Sequence, residues 1–287
     1  MADKIAKAWD RTAKKYFDEV VSPFAEGVDN PIFWYIEKKI DFSKRKSVID
    51  IGTGIGNLLP FLSKEFKEVV AVDISSKMIE AAKTKTQGID NISFYVRDAT
   101  DLTEFYDRFD VAVAVNSILL PNTASIEKML SEASNVLKEG GIFIGIFPSM
   151  DALLYRALLE HERAIEEGGN EEDALKKAGD AIDADKCNFI FGTIKYPDMT
   201  QKNYYRFELL YRLWKAGFKN IRLRKVFYPW EVYEEKELME FKNKPKLWDW
   251  FVFAEKIAEK QEVEIEIIKE DEKTVAENMD ADATAEK

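Results

Sequence analysis

The most constraining feature of this chain is an apolar run that ends in three alternating glycines. Residues 48–57 read Val-Ile-Asp-Ile-Gly-Thr-Gly-Ile-Gly-Asn. The apolar part predicts a buried strand, and the glycines let the main chain turn tightly and lie against a ligand, because glycine has no Cβ. Asp73 follows at the end of the next predicted strand, where carboxylates accept hydrogen bonds from ribose hydroxyls. Together these features predict an adenosine-containing cofactor at the first turn of a parallel sheet.

Further apolar segments alternate with helical patterns. Strands are predicted at residues 47–51, 68–73, 92–96, 109–115, 142–147, 221–228 and 248–254, and helices at 30–40, 57–66, 75–86, 125–137 and 203–216. This alternation predicts an α/β fold, a doubly wound, mostly parallel, seven-stranded sheet with helices on both faces. Gly52, Asp73, Asp98 and Asn116 fall at or just after strand carboxyl ends, where ligands of such sheets bind.

The alternation is interrupted between residues 149 and 202. Helical patterns at 151–167 and 171–184 and an extended segment at 189–196 predict a mainly helical insertion after the fifth strand. The insertion would emerge on the cofactor side of the sheet, so we expect it to form a lid or substrate wall. Residues 1–257 are expected to form the folded domain, and residues 258–287, with 11 acidic and 4 basic residues, an acidic, largely disordered tail.

Composition excludes several classes of function. The single Cys187 and the single His161 argue against any metal site, and no apolar run is long enough to span a membrane, so we expect a cytoplasmic protein. The formal net charge is −11, which makes nucleic acid an improbable partner. We interpret Arg222, Arg224 and Lys225 as the solvated side of a strand.

Spacing within the glycine run separates two cofactor classes. Dinucleotide oxidoreductases place glycines at the first, third and sixth positions of their turn, but the sixth position here is Asn57, and Gly56 occupies the fifth. In this respect the chain resembles the class I S-adenosylmethionine-dependent methyltransferases. The resemblance covers about residues 45–147 and the closing strands, and it implies a Rossmann-like methyltransferase fold with S-adenosylmethionine as cofactor.

Five segments carry the resemblance, in order along the chain. Residues 50–57 resemble the first motif of the family, 70–75 with Met78 the second, and 97–99 the third; 109–111 leading to 116–117 resemble the fourth strand and the floor of the site, and 137–141 the turn before the fifth strand. The resemblance implies that the glycines approach the methionine part of the cofactor, Asp73 binds ribose, Ile74 packs on adenine, and Asp98 and the Ala99 amide contact the adenine edge. The residues expected to bind the cofactor are Tyr16, Asp50, Gly52, Thr53, Gly54, Asn57, Asp73, Ile74, Met78, Asp98, Ala99 and Asn116.

Some of these residues keep a structural alternative. Tyr16 also fits a core position on an N-terminal helix, Asp50 also fits hydrogen bonds to the backbone amides of its own glycine loop, and Asp98 also fits a turn cap. His161 and Tyr16 are the candidates for catalysis, and a buried ring on one helical face with Leu154, Leu158 and Ile165 is the alternative for His161.

The sequence limits the class of methyl acceptor mainly through the signatures that it lacks. Residues 116–119, Asn-Ser-Ile-Leu, lack the Asn/Asp-Pro-Pro-aromatic signature of enzymes that methylate exocyclic amines of bases. The single cysteine also departs from the multi-cysteine arsenic methyltransferases and from the enzymes that use a cysteine nucleophile on cytosine. We therefore expect a small organic acceptor, methylated on oxygen or nitrogen. An RNA or protein methyltransferase and a non-catalytic, methyltransferase-like partner protein remain as alternatives.

Overall fold

A central sheet and a small second sheet organise the protein. The computed structural model describes residues 2–12, 22–197, 199–233 and 236–258. The strands, in chain order, are β1 Ser47–Ile51, β2 Glu68–Asp73, β3 Ile92–Val96, β4 Phe109–Val115, β5 Leu137–Phe147, β6 Cys187–Asn188, β7 Thr193–Lys195, β8 Thr200–Lys202, β9 Phe218–Tyr228 and β10 Leu247–Lys256. The α-helices are α1 Ala2–Thr12, α2 Pro31–Lys39, α3 Leu59–Glu65, α4 Ser76–Lys85, α5 Thr123–Asn135, α6 Met150–Glu166, α7 Glu171–Ala181 and α8 Arg206–Lys215.

The seven-stranded sheet has the order β3-β2-β1-β4-β5-β10-β9. Neighbouring strands from β3 to β5 are parallel, whereas β10 is antiparallel to both β5 and β9. This confirms the predicted doubly wound, mostly parallel fold. The strand order also reverses direction at β1 and β4, which opens a crevice at their carboxyl ends.

Helices cover both faces because the central strands are apolar on both sides. All five residues of β1 are buried. On one face, Ile49 packs in a core with residues of α5 and α8, and on the other Val48 packs in a core with residues of α2 and α3. The predicted helix 57–66 is shorter than expected and begins at Leu59, with Pro60 in its first turn, where no hydrogen-bonded N–H is needed.

The insertion contains two helices, as predicted, and also the three-stranded sheet β6-β7-β8. The extended segment expected at 189–196 is only partly extended, because a turn separates β6 from β7. The interpretation of Leu154, Leu158 and Ile165 as an inward face of α6 was wrong: they are 39%, 53% and 38% exposed. This helix instead buries Ala152, Leu159 and Ala164, which lie on a different stripe.

Two further expectations concern charged segments. The charged tail lies outside the described residues from 259 onward. Arg222, Arg224 and Lys225 are exposed on β9, as expected for the solvated side of a strand. Among the helices that the structure describes, none has the length and apolar character needed to cross a bilayer.

Candidate functional site

The glycine turn after β1 is held close to the ends of two neighbouring strands. Gly52, Gly54 and Gly56 have φ values of +74°, +55° and +77°, a region that L side chains rarely adopt. The backbone N–H groups of Gly52 and Thr53 both donate to Val72 O, at 2.8 and 3.0 Å. A Cβ on Gly52 would lie 2.3 Å from the Cβ of Ser117, so the turn requires glycine there for space as well as for conformation.

Asp73 connects this turn to the second strand. Its Oδ2 accepts from the Gly54 N–H at 2.8 Å and its Oδ1 from the Ser75 N–H at 2.9 Å. Burial raises the pKa of Asp73 to about 6, although these hydrogen bonds act in the opposite direction. The carboxylate therefore lies at the end of β2, in contact with the glycine turn.

Asp50 lies behind the turn. Its Oδ2 accepts from the Thr53 hydroxyl at 2.6 Å, so the carboxyl group bonds its own loop, through a side chain rather than through the backbone amides we expected. Burial raises the pKa of Asp50 to about 7, and the neighbouring Asp73 charge adds to the shift. A polar pair inside the loop thus supports the turn from its inner side.

The ends of β3 and β4 complete the polar part of the site. Asp98 Oδ1 accepts from the Thr100 N–H at 2.9 Å and from the Thr100 hydroxyl at 2.8 Å, which makes it a turn cap. Asn116 has φ +45°, and its Nδ2 donates to Asp249 Oδ2 at 3.1 Å. Ser117 Oγ donates to Ile51 O at 2.6 Å and so ties the end of β4 to the start of the glycine turn.

These strand ends open into one cavity of about 440 Å³. Of the residues expected to bind the cofactor, every one that the structure describes lines this cavity: Asp50, Gly52, Thr53, Gly54, Asn57, Asp73, Ile74, Met78, Asp98, Ala99 and Asn116. Tyr16 lies outside the described residues. The structure thus brings together side chains that come from four strand ends.

The N-terminal helix α1 forms one wall of the cavity. Ile5, Ala8 and Trp9 line it. Asp10 Oδ1 accepts from the Ser75 hydroxyl at 2.5 Å and from the Lys77 N–H at 3.3 Å, which fastens α1 to the start of α4. Pro23 and Phe24, which no sequence pattern indicated, line the same cavity.

The far side of the cavity comes from the loop after β4 and from the insertion. It is formed by Leu119, Leu120 and Pro121 of that loop and by Met199, Thr200 and Gln201 of the insertion, together with Met129 of α5 and Pro148, which follows β5. A backbone hydrogen bond of 3.0 Å from Lys202 N to Leu119 O joins the two segments. Sequence reasoning placed a wall in residues 149–202 but did not identify these residues, because a short strand such as β8 carries no motif.

His161 is not among the residues that line the cavity. On α6 its Nε2 lies 3.2 Å from Glu171 Oε1, and its Nδ1 lies 3.5 Å from Glu162 Oε1. The structure therefore separates this candidate base from the strand ends. Within the described ranges, His, Cys, Asp and Glu form no group of three that could hold a metal ion.

Comparison with known proteins agrees with this geometry. Residues 48–141 match the family of methyltransferase domains. This match covers about a third of the chain, so the similarity to methyltransferase domains concerns residues 48–141. The matched segment begins in β1, whose carboxyl end leads into the glycine turn, and ends at Gly141 inside β5.

Two relatives in sequence resemble the methyltransferase domain. A ubiquinone biosynthesis O-methyltransferase of Coxiella burnetii is 32% identical over 130 residues, which are 44% of this chain and 54% of the relative. A demethylmenaquinone methyltransferase of Clavibacter sepedonicus is 32% identical over 143 residues, which are 49% of this chain and 54% of that protein. The chain thus spans about half the length of each relative.

Solved structures share the fold across most of the chain. A SAM-dependent methyltransferase from Methanosarcina mazei has a TM-score of 0.53 at 18% identity and covers 78% of this chain and 97% of its own. The structure of DhpI in complex with SAH has a TM-score of 0.56 at 15% identity and covers 90% of this chain and 98% of its own. At these identities the likeness concerns the fold alone.

Proposed function

We propose that this chain transfers a methyl group from S-adenosylmethionine to an oxygen or nitrogen atom of a small organic acceptor. The observation that carries the proposal is the contact between the glycine turn and Asp73, at the edge of a cavity that also contains Asp98 and Asn116. The methyltransferase domain match supports the reaction type. The acceptor and the methylated atom go beyond what the match covers.

The residues present fit this cofactor. Gly52 allows the main chain to approach a ligand where any side chain would collide with Ser117. Asp73 offers carboxylate oxygens for ribose hydroxyls, and Ile74, Met78 and Ala99 offer apolar contacts for an adenine ring. A cavity of about 440 Å³ lies within the usual size of small-molecule sites.

The chemistry that S-adenosylmethionine supplies is an electrophilic methyl group on a positively charged sulfur. The chain's own residues align the two reactants and exclude water. The α1 residues Ile5, Ala8 and Trp9 and the loop residues Leu119 and Leu120 line the cavity with apolar surface. Tyr16, which lies outside the described residues, and His161, which does not line the cavity, stay proposals for catalysis.

We propose that the insertion at 149–202 is the substrate wall. Met199, Thr200 and Gln201 come from it and line the cavity, as do Leu119 and Pro121. This side is mostly apolar, which favours an acceptor with an apolar body. The two relatives, by their names, act in ubiquinone biosynthesis and on demethylmenaquinone, and both names support an organic small molecule as acceptor.

The negative net charge of the chain favours a small-molecule acceptor over RNA. The chain is acidic, with a net charge of −11, and the exposed basic residues of β9 lie on an edge strand of the sheet. A nucleic-acid substrate requires a basic surface beside the site. An RNA substrate would show itself by binding that weakens steeply as salt is raised.

Transfer of labelled methyl tests the proposal. Purified protein is incubated with methyl-tritiated S-adenosylmethionine and, in separate reactions, with a small-molecule metabolite extract, total RNA and a protein extract, and labelled products are separated and identified by mass spectrometry. We expect labelled small molecules that depend on the protein and are absent with Asp73→Ala. Label found only in RNA or protein, or none in any fraction, would overturn the proposal. Gln201→Ala should change the pattern of products while the affinity for S-adenosylhomocysteine stays the same.

A further inference from the structure

A polar network that no sequence motif indicated lies at the carboxyl edge of the sheet. Asp249 is near the start of β10, and Tyr228 is the last residue of β9. Because β10 is antiparallel to both of its neighbours, its start lies at the same edge as the ends of β4, β5 and β9. The Tyr228 hydroxyl donates to Asp249 Oδ2 at 2.6 Å. The Ser149 backbone N–H, where the insertion begins, also donates to this carboxyl group.

The fourth partner of the network is Asn116, which also lines the cavity. Its Nδ2 donates to Asp249 Oδ2 at 3.1 Å, and its backbone N–H donates to Ile146 O at 2.8 Å. Asn116 therefore has a fixed backbone, with φ +45°, and a fixed amide nitrogen. Neither Asp249 nor Tyr228 is among the residues that line the cavity. The nitrogen end of the carboxamide thus points into the network and away from the cavity.

The oxygen end of the same carboxamide has no partner. In the part of the chain that the structure describes, Asn116 Oδ1 is buried and makes no hydrogen bond. A buried acceptor left without a donor is unfavourable, and folded proteins leave few of them. A carboxylate next to the nitrogen end also prevents the amide from turning over, since the oxygen would then face a negative charge. Asn116 Oδ1 is therefore an acceptor without a donor, in a residue that lines the cavity.

We propose that Asp249 is a positioning residue for the methyl acceptor: it orients Asn116 so that Asn116 Oδ1 accepts a hydrogen bond from the O–H or N–H that becomes methylated. The inference rests on the proposed function and adds a requirement to it, because the acceptor must carry a hydrogen on the reacting atom. A carboxamide is not basic, so Asn116 orients this hydrogen and does not remove it. The acceptor's lone pair forms the bond to the methyl carbon, the carbon–sulfur bond breaks with its electron pair on sulfur, and the proton leaves to solvent.

Three variants test the network. Asp249→Asn and Asn116→Asp each disturb the pair with almost no change in size. The double variant N116D/D249N exchanges the partners: one N–H of the amide at 249 donates to a carboxylate at 116, whose other oxygen still accepts, and the other N–H donates to the Tyr228 hydroxyl oxygen. Because only the orientation of the pair is restored, recovery in the double variant would not follow from a merely structural role. Melting temperatures measured for all three confirm that each variant is folded.

Two measurements are made on each variant. The first is the affinity for S-adenosylhomocysteine by calorimetry, and the second is the rate of tritium transfer from S-adenosylmethionine to the metabolite extract, with the products identified. We expect each single variant to lower the transfer rate about tenfold or more, as loss of one well-placed hydrogen bond to a charged group would. The double variant should recover most of the rate. Asp249→Asn should leave the affinity for S-adenosylhomocysteine within about threefold of the unmodified protein, since less than 1 kcal/mol separates such values.

Each contrary outcome identifies what fails. Transfer that is unchanged in Asp249→Asn, or a double variant no better than the single ones, would overturn the positioning role while methyl transfer itself stands. An affinity for S-adenosylhomocysteine that falls as much as the transfer rate would assign the network to the cofactor instead. Labelled products methylated on a tertiary amine or a thioether, which carry no hydrogen on the reacting atom, would also overturn it. If the unmodified protein transfers no label, the proposed function fails and the inference fails with it.

Discussion

The Asp73 carboxylate accepts a hydrogen bond from the Gly54 backbone N–H at 2.8 Å, so the end of β2 and the turn after β1 form one unit. The same carboxylate accepts from the Ser75 N–H, which precedes α4. Three segments of backbone thus depend on a single side chain. A substitution in the glycine turn should therefore alter the position of Asp73, and a substitution of Asp73 should alter the turn.

The space around Gly52 gives the first prediction. In Gly52→Ala the new Cβ would lie 2.3 Å from Ser117 Cβ, in a backbone conformation with φ +74°. We expect a loss of unfolding free energy well above the roughly 1–2 kcal/mol that a left-handed conformation alone costs, together with loss of affinity for S-adenosylhomocysteine.

Gly88→Ala is the matched control for this substitution. Gly88 has a similar φ of +86°, but nothing lies within 4 Å of its Cβ position. Denaturant unfolding should therefore show a smaller loss for Gly88→Ala, and adding Ser117→Gly to Gly52→Ala should recover part of the stability. Equal losses at the two glycines would contradict the role given to the contact with Ser117.

The buried carboxyl groups make stability depend on pH. Burial raises the pKa of Asp50 to about 7 and that of Asp73 to about 6, above the ordinary value of 3.8. Between pH 3.8 and about 6 for Asp73, and between pH 3.8 and about 7 for Asp50, the folded protein holds a proton that the unfolded chain has released. The contribution of these groups is therefore present in full below pH 3.8 and is lost as the pH rises through about 4 to 7.

We accordingly expect the cofactor-free protein to melt a few degrees higher at about pH 5.5 than at about pH 7.5. Asp50→Asn keeps an acceptor for the Thr53 hydroxyl but does not titrate, so the difference between the two melting temperatures should shrink. Other carboxyl groups are common to both proteins and cancel in this comparison. A difference that is unchanged in Asp50→Asn would show that Asp50 is charged in the folded protein.

The contact between Asp10 and Ser75 gives a third prediction. Because Asp10 fastens α1 to α4, and Trp9 lines the cavity, Asp10→Ala should loosen the helix and weaken binding of S-adenosylhomocysteine several-fold. Hydrogen exchange of the amides of residues 2–12 should become faster. Lys7→Ala, an exposed position on the same helix, should leave both measurements unchanged. Similar effects of the two variants would show that general loss of helix stability, and not the Asp10 contact, is responsible.

The sequence was informative where a single position has a strong local requirement. Gly52 needs both a positive φ and an absent side chain, and Asp73 follows a buried strand whose carboxyl end shares an edge with the glycine turn. Such requirements are visible in residue type and spacing. The sheet and the cavity-lining residues of the first four strands follow from them.

Other parts of the site depend on contacts between distant segments. Asp249 lies 133 residues after Asn116, and the two meet only because β10 enters the sheet antiparallel beside β5. The buried face of α6 was misjudged because this helix carries apolar residues along two different stripes. Packing against α7 and β10 buries the stripe that contains Leu159. Sequence periodicity cannot distinguish such stripes without knowledge of the neighbouring elements.

Calorimetry with S-adenosylhomocysteine and with NAD is the most direct test of which cofactor this protein binds. We predict that the protein binds S-adenosylhomocysteine and not NAD. We also predict that Asp73→Ala weakens this binding about a hundredfold, as loss of the two hydrogen bonds between the ribose hydroxyls and a charged group implies, while Asp90→Ala, at an exposed carboxylate, has no effect. Binding of NAD by pure protein that does not bind S-adenosylhomocysteine would contradict the proposal that the glycine turn and Asp73 hold S-adenosylmethionine.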